Sequence, residues 1–219
     1  MISLPLSDIL PFLLLAARWT LLLAAIAFAG GGIAAILLLL LRYARPRLGA
    51  KYVDLYTELF QGTPLLLQLF LVFFGLPLLG IEVSPLLAAG LALTLYAGAF
   101  LAEIWRGCVD AVPRGQWEAS AALGLNFLIQ MRDVILPQAL RIAIPPTVGF
   151  LVQLLKATAL SSIVGFNDLT RAGTIVTNAT FQPLLVYGLV ALIYFAMCYP
   201  LTLSARILER KLAGAQVSR

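Results

Sequence analysis

The chain has 219 residues and a formal net charge of +5, with 62% hydrophobic and only 11% charged side chains. An ordinary soluble domain carries about a quarter charged residues, so most of this chain has lipid for its solvent. The absence of histidine excludes Ser-His triads, histidine general bases and His-containing metal sites, and without a Gly-Lys dipeptide there is no phosphate-cradling P-loop. No catalytic residue and no metal ligand set is read. Cys108 and Cys198 lie in or beside apolar stretches and read as buried small hydrophobes. Met1–Asp8 carries no basic region before the first apolar run, so it is read as mature sequence rather than a cleaved leader.

About 30 Å of hydrocarbon needs roughly 20 apolar helical residues. The uncharged run Trp19–Leu41, closed by Arg42, predicts a first span at about 14–41. An amphipathic lead-in, Tyr52–Glu58, precedes the apolar run Pro64–Ile81, and a second span is expected at about 56–79. Pro85, in a first turn where its missing N–H costs little, opens a third at about 85–105. Ile142–Leu155 is uncharged but short, which carries a fourth span past Lys156, at about 142–164. A fifth, at about 183–205, ends in the basic stop Arg206–Lys211. The expected fold class is all-α: a polytopic membrane protein of about five transmembrane helices in one domain covering 1–219, with a two-helix loop at about 106–140.

With the N-terminus outside, twelve of the fifteen Lys and Arg residues fall on the cytoplasmic side, Arg18 and Arg171 stay outside, and Lys156 lies within a span. This asymmetry predicts a multi-pass protein of the bacterial cytoplasmic membrane with a cytoplasmic C-terminus. It also accounts for the positive charge with membrane lipid, and no nucleic acid, as the partner.

The 106–140 loop predicts structure of its own. Pro113 breaks the end of span three, Gly115–Leu123 is rich in good helix formers, and Gly124 suits the left-handed position after a helix. Asn126 can cap a second helix, Phe127–Leu136, that stops before Pro137. Phe127, Met131, Val134 and Ile135 share one face of it. The pair reads either as an amphipathic hairpin resting on headgroups or as a docking element for a cytoplasmic partner, with acidic Glu118 on a basic face.

Glu118-Ala119-Ser120, then Gly124, then Val134-Ile135-Leu136-Pro137 resembles the EAA signature of permease subunits of bacterial ABC importers, with Ser120 and Val134 as mild departures. Gln61-Gly62-Thr63-Pro64, Ala102-Glu103-Ile104-Trp105-Arg106-Gly107, Val112-Pro113-Arg114-Gly115-Gln116 and Leu154-Leu155-Lys156 resemble blocks of the polar amino acid branch, the histidine- and glutamine-type permeases. The resemblance covers roughly residues 12–212, and Gln61 stands where that family usually has Arg. It implies a chain that makes and breaks no covalent bonds and binds no cofactor, with ATP and Mg held by a partner ABC ATP-binding subunit. It further implies a second permease subunit, identical or homologous, an extracytoplasmic solute-binding protein, and a polar amino acid as substrate. The ATPase-coupling residues would be Glu118, Ala119, Gly124, Phe127, Met131 and Pro137, with Phe127 and Met131 offering an apolar patch to the partner.

Ionisable groups inside a span usually face a bundle interior. Gly149, Gln153 and Lys156 share one helical stripe, so Lys156 is either a wall of the substrate path or a structural lysine paired or snorkelling to an interface. Gln68, Thr94 and Tyr96 are weaker path candidates that could equally be interhelical hydrogen-bond partners, and Glu103, a further path candidate, is better placed as the i,i+3 ion-pair partner of Arg106. Asn167, Asp168 and Arg171 fall in the expected outer loop, as a contact for the solute-binding protein or as a local Asx-capped turn. The Gly30-Gly31-Gly32 run in span one predicts close helix approach. The alternative function is a self-sufficient secondary transporter or channel for small polar solutes, which the lack of an inverted repeat disfavours.

Overall fold

The computed structural model describes residues 5–217, with side chains described for 5–210. The Met1–Leu4 end of the expected mature terminus, and the side chains of Lys211 and Arg219 counted at the basic end, lie outside the described residues. Consecutive helical segments join into eight helices, and no strand occurs among the described residues.

The first helix, α1 (Leu6–Ala44), runs for 39 residues, well past the expected 14–41 at its N-terminal end. Arg18, a good helix former, does not interrupt it, and its guanidinium lies over the neighbouring Trp19 ring at 5.4 Å. The main partner of α1 is α4 (Pro85–Asp110), which lies alongside it in the same direction, with Gly30 against Thr94 and Gly31 against Ala97. A Cβ added at Gly31 would stand 2.4 Å from the Ala97 Cβ. Between apolar helices in lipid, such close backbone approach supplies the attraction that water exclusion supplies in a soluble core.

The second crossing is not the single span expected at 56–79. It divides into α2 (Leu48–Gly62) and α3 (Leu65–Leu78), bent by 100° at the break. The cause is local: Thr63 precedes Pro64 and is held extended at φ −111°, ψ 142°. The Gln68 amide of α3 then donates to the carbonyls of Phe60 (2.9 Å) and Thr63 (3.1 Å), which the break has freed. α2 is fastened by Arg42 to Asp54 at 2.5 Å and by the Tyr56 hydroxyl donating to Leu95 O at 2.7 Å. At about 21 Å, α3 alone is too short to cross.

Beyond α4, α5 (Arg114–Ala122) leads into α6 (Phe127–Ser162), which is one long helix. The expected stop before Pro137 does not occur. A wide π-helical turn over Gln130–Ile135 ends two residues before Pro137 and makes room for its ring. α3 uses the same device, with a π turn over Leu71–Gly75 ahead of Pro77. The second loop helix is thus the foot of the fourth span, not a separate element.

α6 tightens over Thr158–Ser162, and the chain then turns through Gly165 into α7 (Leu169–Thr180) and α8 (Pro183–Val217). The segment expected outside the bundle beyond residue 164 lies within it, since Val164, Phe166 and Leu169 are buried. α7 packs between Ile9, Leu13 and Ala17 of α1 and Val186, Val190 and Ile193 of α8. Four helices, α1, α4, α6 and α8, are long and apolar enough to cross a membrane, and α2 with α3 makes a fifth if the bent pair is one crossing.

Candidate functional site

At the basic end of the bundle, α5 and the foot of α6 form a hairpin. Gly124, at φ +74°, ends α5 in a Schellman motif: its N–H donates to Ala121 O at 2.9 Å, and Leu125 N–H donates to Ser120 O at 3.3 Å. Asn126 then caps α6, its Oδ1 accepting from Ile129 N–H at 3.0 Å. The Gln138 amide donates to Gln116 Oε1 at 3.2 Å and so ties the two arms together. Ser120, the departure from the signature, is buried and donates to Trp117 O at 2.9 Å.

The two faces of the hairpin differ. Glu118 and Ala119 are exposed, and Glu118 makes no ion pair among the described residues. Met131 is only 8% exposed and packs with Ile135 on Val109 and Val112 of the α4 end. Its expected place in a patch offered to a partner is therefore corrected: it fastens the hairpin to the spans. Phe127 is half-exposed, with its ring 6.3 Å from that of Tyr43. The most exposed apolar groups of the hairpin are Leu123 (79% exposed) and Leu128 (76%). Sequence pattern singles out neither, because the helical period marks the inward face and gives no sign of exposed leucines beside the turn.

The stripe on α6 is laid out as its spacing predicts. Gly149, Gln153 and Lys156 are all exposed, while Phe150, Val152, Leu154 and Leu155 around them are buried. The Gln153 amide lies 3.3 Å from the Tyr96 hydroxyl of α4, and the Tyr96 ring packs at 4.5 Å on Phe100. Lys156 lines a cavity of about 580 Å³ against α8, with Tyr194, Cys198, Tyr199 and Arg206.

Three other path candidates are engaged elsewhere. Gln68 closes the α2–α3 break. Thr94 fills the space over Gly30. Glu103 pairs with Arg106, which also holds Asp110 at 2.8 Å, so this triad caps the basic end of α4. The Gln61 amide donates to Ala99 O at 3.3 Å and joins α2 to α4.

Asp168 is corrected as a contact for a second protein, because it is 0% exposed. Its Oδ1 accepts from Arg171 N–H at 2.9 Å, capping α7, and its Oδ2 accepts from the Tyr194 hydroxyl at 3.4 Å. The adjacent Leu169 N–H donates to Thr20 Oγ1 at 3.0 Å. Tyr194 lies about 16 Å along α8 from its first residue, so this cluster is inside the bundle. Asn167 and Arg171 remain exposed beside it.

Residues 30–214 match the family of binding-protein-dependent transport system inner membrane components. The probable amino-acid ABC transporter permease protein YckA of Bacillus subtilis (strain 168) is 35% identical over 93% of this chain and 90% of its own. The arginine transport system permease protein ArtQ of the same organism is 40% identical over 73% of each chain. Among solved structures, a chain of an amino acid ABC transporter with histidines superposes with a TM-score of 0.89 at 30% identity, covering 96% of this chain and all of that one. A subunit of the MetNI methionine ABC transporter, at 22% identity and a TM-score of 0.74, shares the fold. The hairpin, the bundle and these matches agree: the chain belongs to the family of inner membrane components of binding-protein-dependent transport systems, the permease subunits of ABC importers.

Proposed function

We propose that the chain forms one half of the translocation path of a polar amino acid importer. A second permease subunit, identical or homologous, supplies the other half. An ATP-binding subunit that holds ATP and Mg docks on the hairpin at the basic, cytoplasmic end, and a solute-binding protein delivers substrate at the opposite end, where the N-terminus lies.

The observation that carries this reading is the exposed Gly149–Gln153–Lys156 stripe on a spanning helix. A lysine at the bilayer centre costs about 2.5–3.5 kcal/mol on insertion scales, so the stripe calls for cover by protein and a polar cavity. Lys156 and Arg206 around one cavity suit a substrate carboxylate, and relatives named for amino-acid and arginine transport support an amino acid as the class.

Cross-linking tests the arrangement. In a Cys108→Ser, Cys198→Ser background, Gly149→Cys carrying a benzophenone maleimide should cross-link on illumination to the second permease subunit in the assembled importer. Labelling of that cysteine by a lipid-soluble maleimide, with no cross-link to any subunit, would show the stripe facing lipid and contradict the proposal.

A further inference from the structure

A groove of about 470 Å³ opens at the basic end of the bundle, between α1, α4 and the foot of α6. Val109, Met131 and Ala143 form its buried floor, and Leu40, Leu136 and Leu140 its exposed lips. Trp105 lines it, and so does Arg132. The Arg132 side chain is 87% exposed, and its one ion contact among the described residues is the adjacent Asp133 at 3.5 Å.

We infer that this groove binds one acyl chain of an anionic phospholipid, with the lipid phosphate on Arg132. Three observations point to that occupant. The lips belong to spanning helices, so the groove opens toward hydrocarbon and lipid reaches it without leaving its leaflet. The wall is apolar apart from Arg132, its one charged residue, and the aromatic polar groups of Tyr43 and Trp105, which matches a molecule with a long apolar body and one anionic end. The surrounding end of the chain carries Arg45, Arg47 and Lys51 as well, beside the Arg42–Asp54 pair, and a basic surface of this kind enriches anionic over zwitterionic lipid. A chain seated there braces the foot of α6 against α1 and α4. That foot is the lever by which any movement of the hairpin reaches the fourth span, so leaflet composition would tune coupling.

Contact quenching tests the site directly. The assembled importer is placed in nanodiscs of phosphatidylcholine containing a small fraction of either phosphatidylcholine or phosphatidylglycerol with brominated chains. Trp105 emission is isolated by subtracting the signal of a Trp105→Phe importer. Brominated phosphatidylglycerol should quench Trp105 roughly fivefold more effectively than the zwitterionic lipid at equal mole fraction. Arg132→Gln should bring the two lipids level, and Ala143→Phe should weaken quenching by both. Equal quenching by the two lipids in the unaltered importer, or a preference that survives Arg132→Gln, overturns the assignment of the headgroup. Quenching by neither lipid shows the groove covered by a protein subunit and overturns the site itself.

Discussion

The Gln68 side-chain amide reaches back across the break at Pro64 and donates to the main-chain carbonyl of Phe60 at 2.9 Å. A residue that sequence pattern offers equally to the wall of a path and to an interhelical hydrogen bond is, in the folded chain, the clasp of a bent helix pair. Gln68→Leu leaves freed carbonyls unsatisfied, which costs about 1–3 kcal/mol for a buried group. Thermal unfolding in detergent should show the loss, with the KM for transport unchanged in whatever complex still assembles. A raised KM at unaltered stability would return Gln68 to the substrate path.

The α1–α4 contact makes an equally specific demand. At Gly31 a Cβ meets the Ala97 Cβ at 2.4 Å and main-chain atoms at 3.0 Å, so Gly31→Val must push the helices apart. Overpacking of this kind costs about 1–3 kcal/mol, and should lower the melting temperature and the yield of assembled complex. On the same α4, a Cβ at Gly107 would meet nothing within 4 Å. Gly107→Ala should therefore be neutral or slightly stabilising in the same assay.

Gly124 turns the hairpin at φ +74°. An L-residue in that conformation costs about 1–2 kcal/mol, more for a β-branched one. The strain in Gly124→Val falls on the turn between α5 and α6, remote from the helix contacts of the spans. Expected are spans that melt as in the unaltered protein, together with loss of transport and of substrate-stimulated ATPase activity, or loss of the ATP-binding subunit on purification. Transport and stimulation at the unaltered level would show that the turn has no part in coupling.

The hairpin's two faces separate stability from docking. Met131→Ala opens a cavity against Val109 and Val112 and should destabilise by about 2–5 kcal/mol. Leu123→Asp alters a side chain that is 79% exposed, so it should leave unfolding unchanged and weaken retention of the ATP-binding subunit. Copurification and thermal unfolding, measured on both variants, distinguish the two faces. The reverse pattern would assign the inward face to the partner.

Much of the fold is legible in the sequence because the bilayer imposes one rule on every span: a run of apolar residues closed by charge. That rule finds α1, α4 and α8, and the i, i+4, i+7 spacing finds the Gly149–Gln153–Lys156 stripe. Local turn chemistry is legible too, at Gly124 and Asn126. The misses share a cause, which is dependence on neighbours that a local pattern does not contain. Pro64 opens the apolar run of the expected second span rather than interrupting it, so the break merges with the amphipathic lead-in into one expected crossing, and Pro137 has the look of a stop although a π turn absorbs it. The position of Asp168 depends on Thr20 and Tyr194, from helices far away in the chain, and no local pattern announces such a cluster. The helical period separates Met131 from Leu128, but only the docked α4 end shows that the marked face turns inward rather than toward a partner.

Uptake by proteoliposomes tests the central claim most directly. The chain is reconstituted with its copurifying subunits, and accumulation of labelled amino acids is followed in the presence of the solute-binding protein, with ATP on the hairpin side or without it. A permease driven through its hairpin predicts accumulation that requires both ATP and the binding protein, and that Gly124→Val abolishes. Equal uptake or conductance by the chain alone, without ATP, would contradict it and identify a self-sufficient transporter or channel.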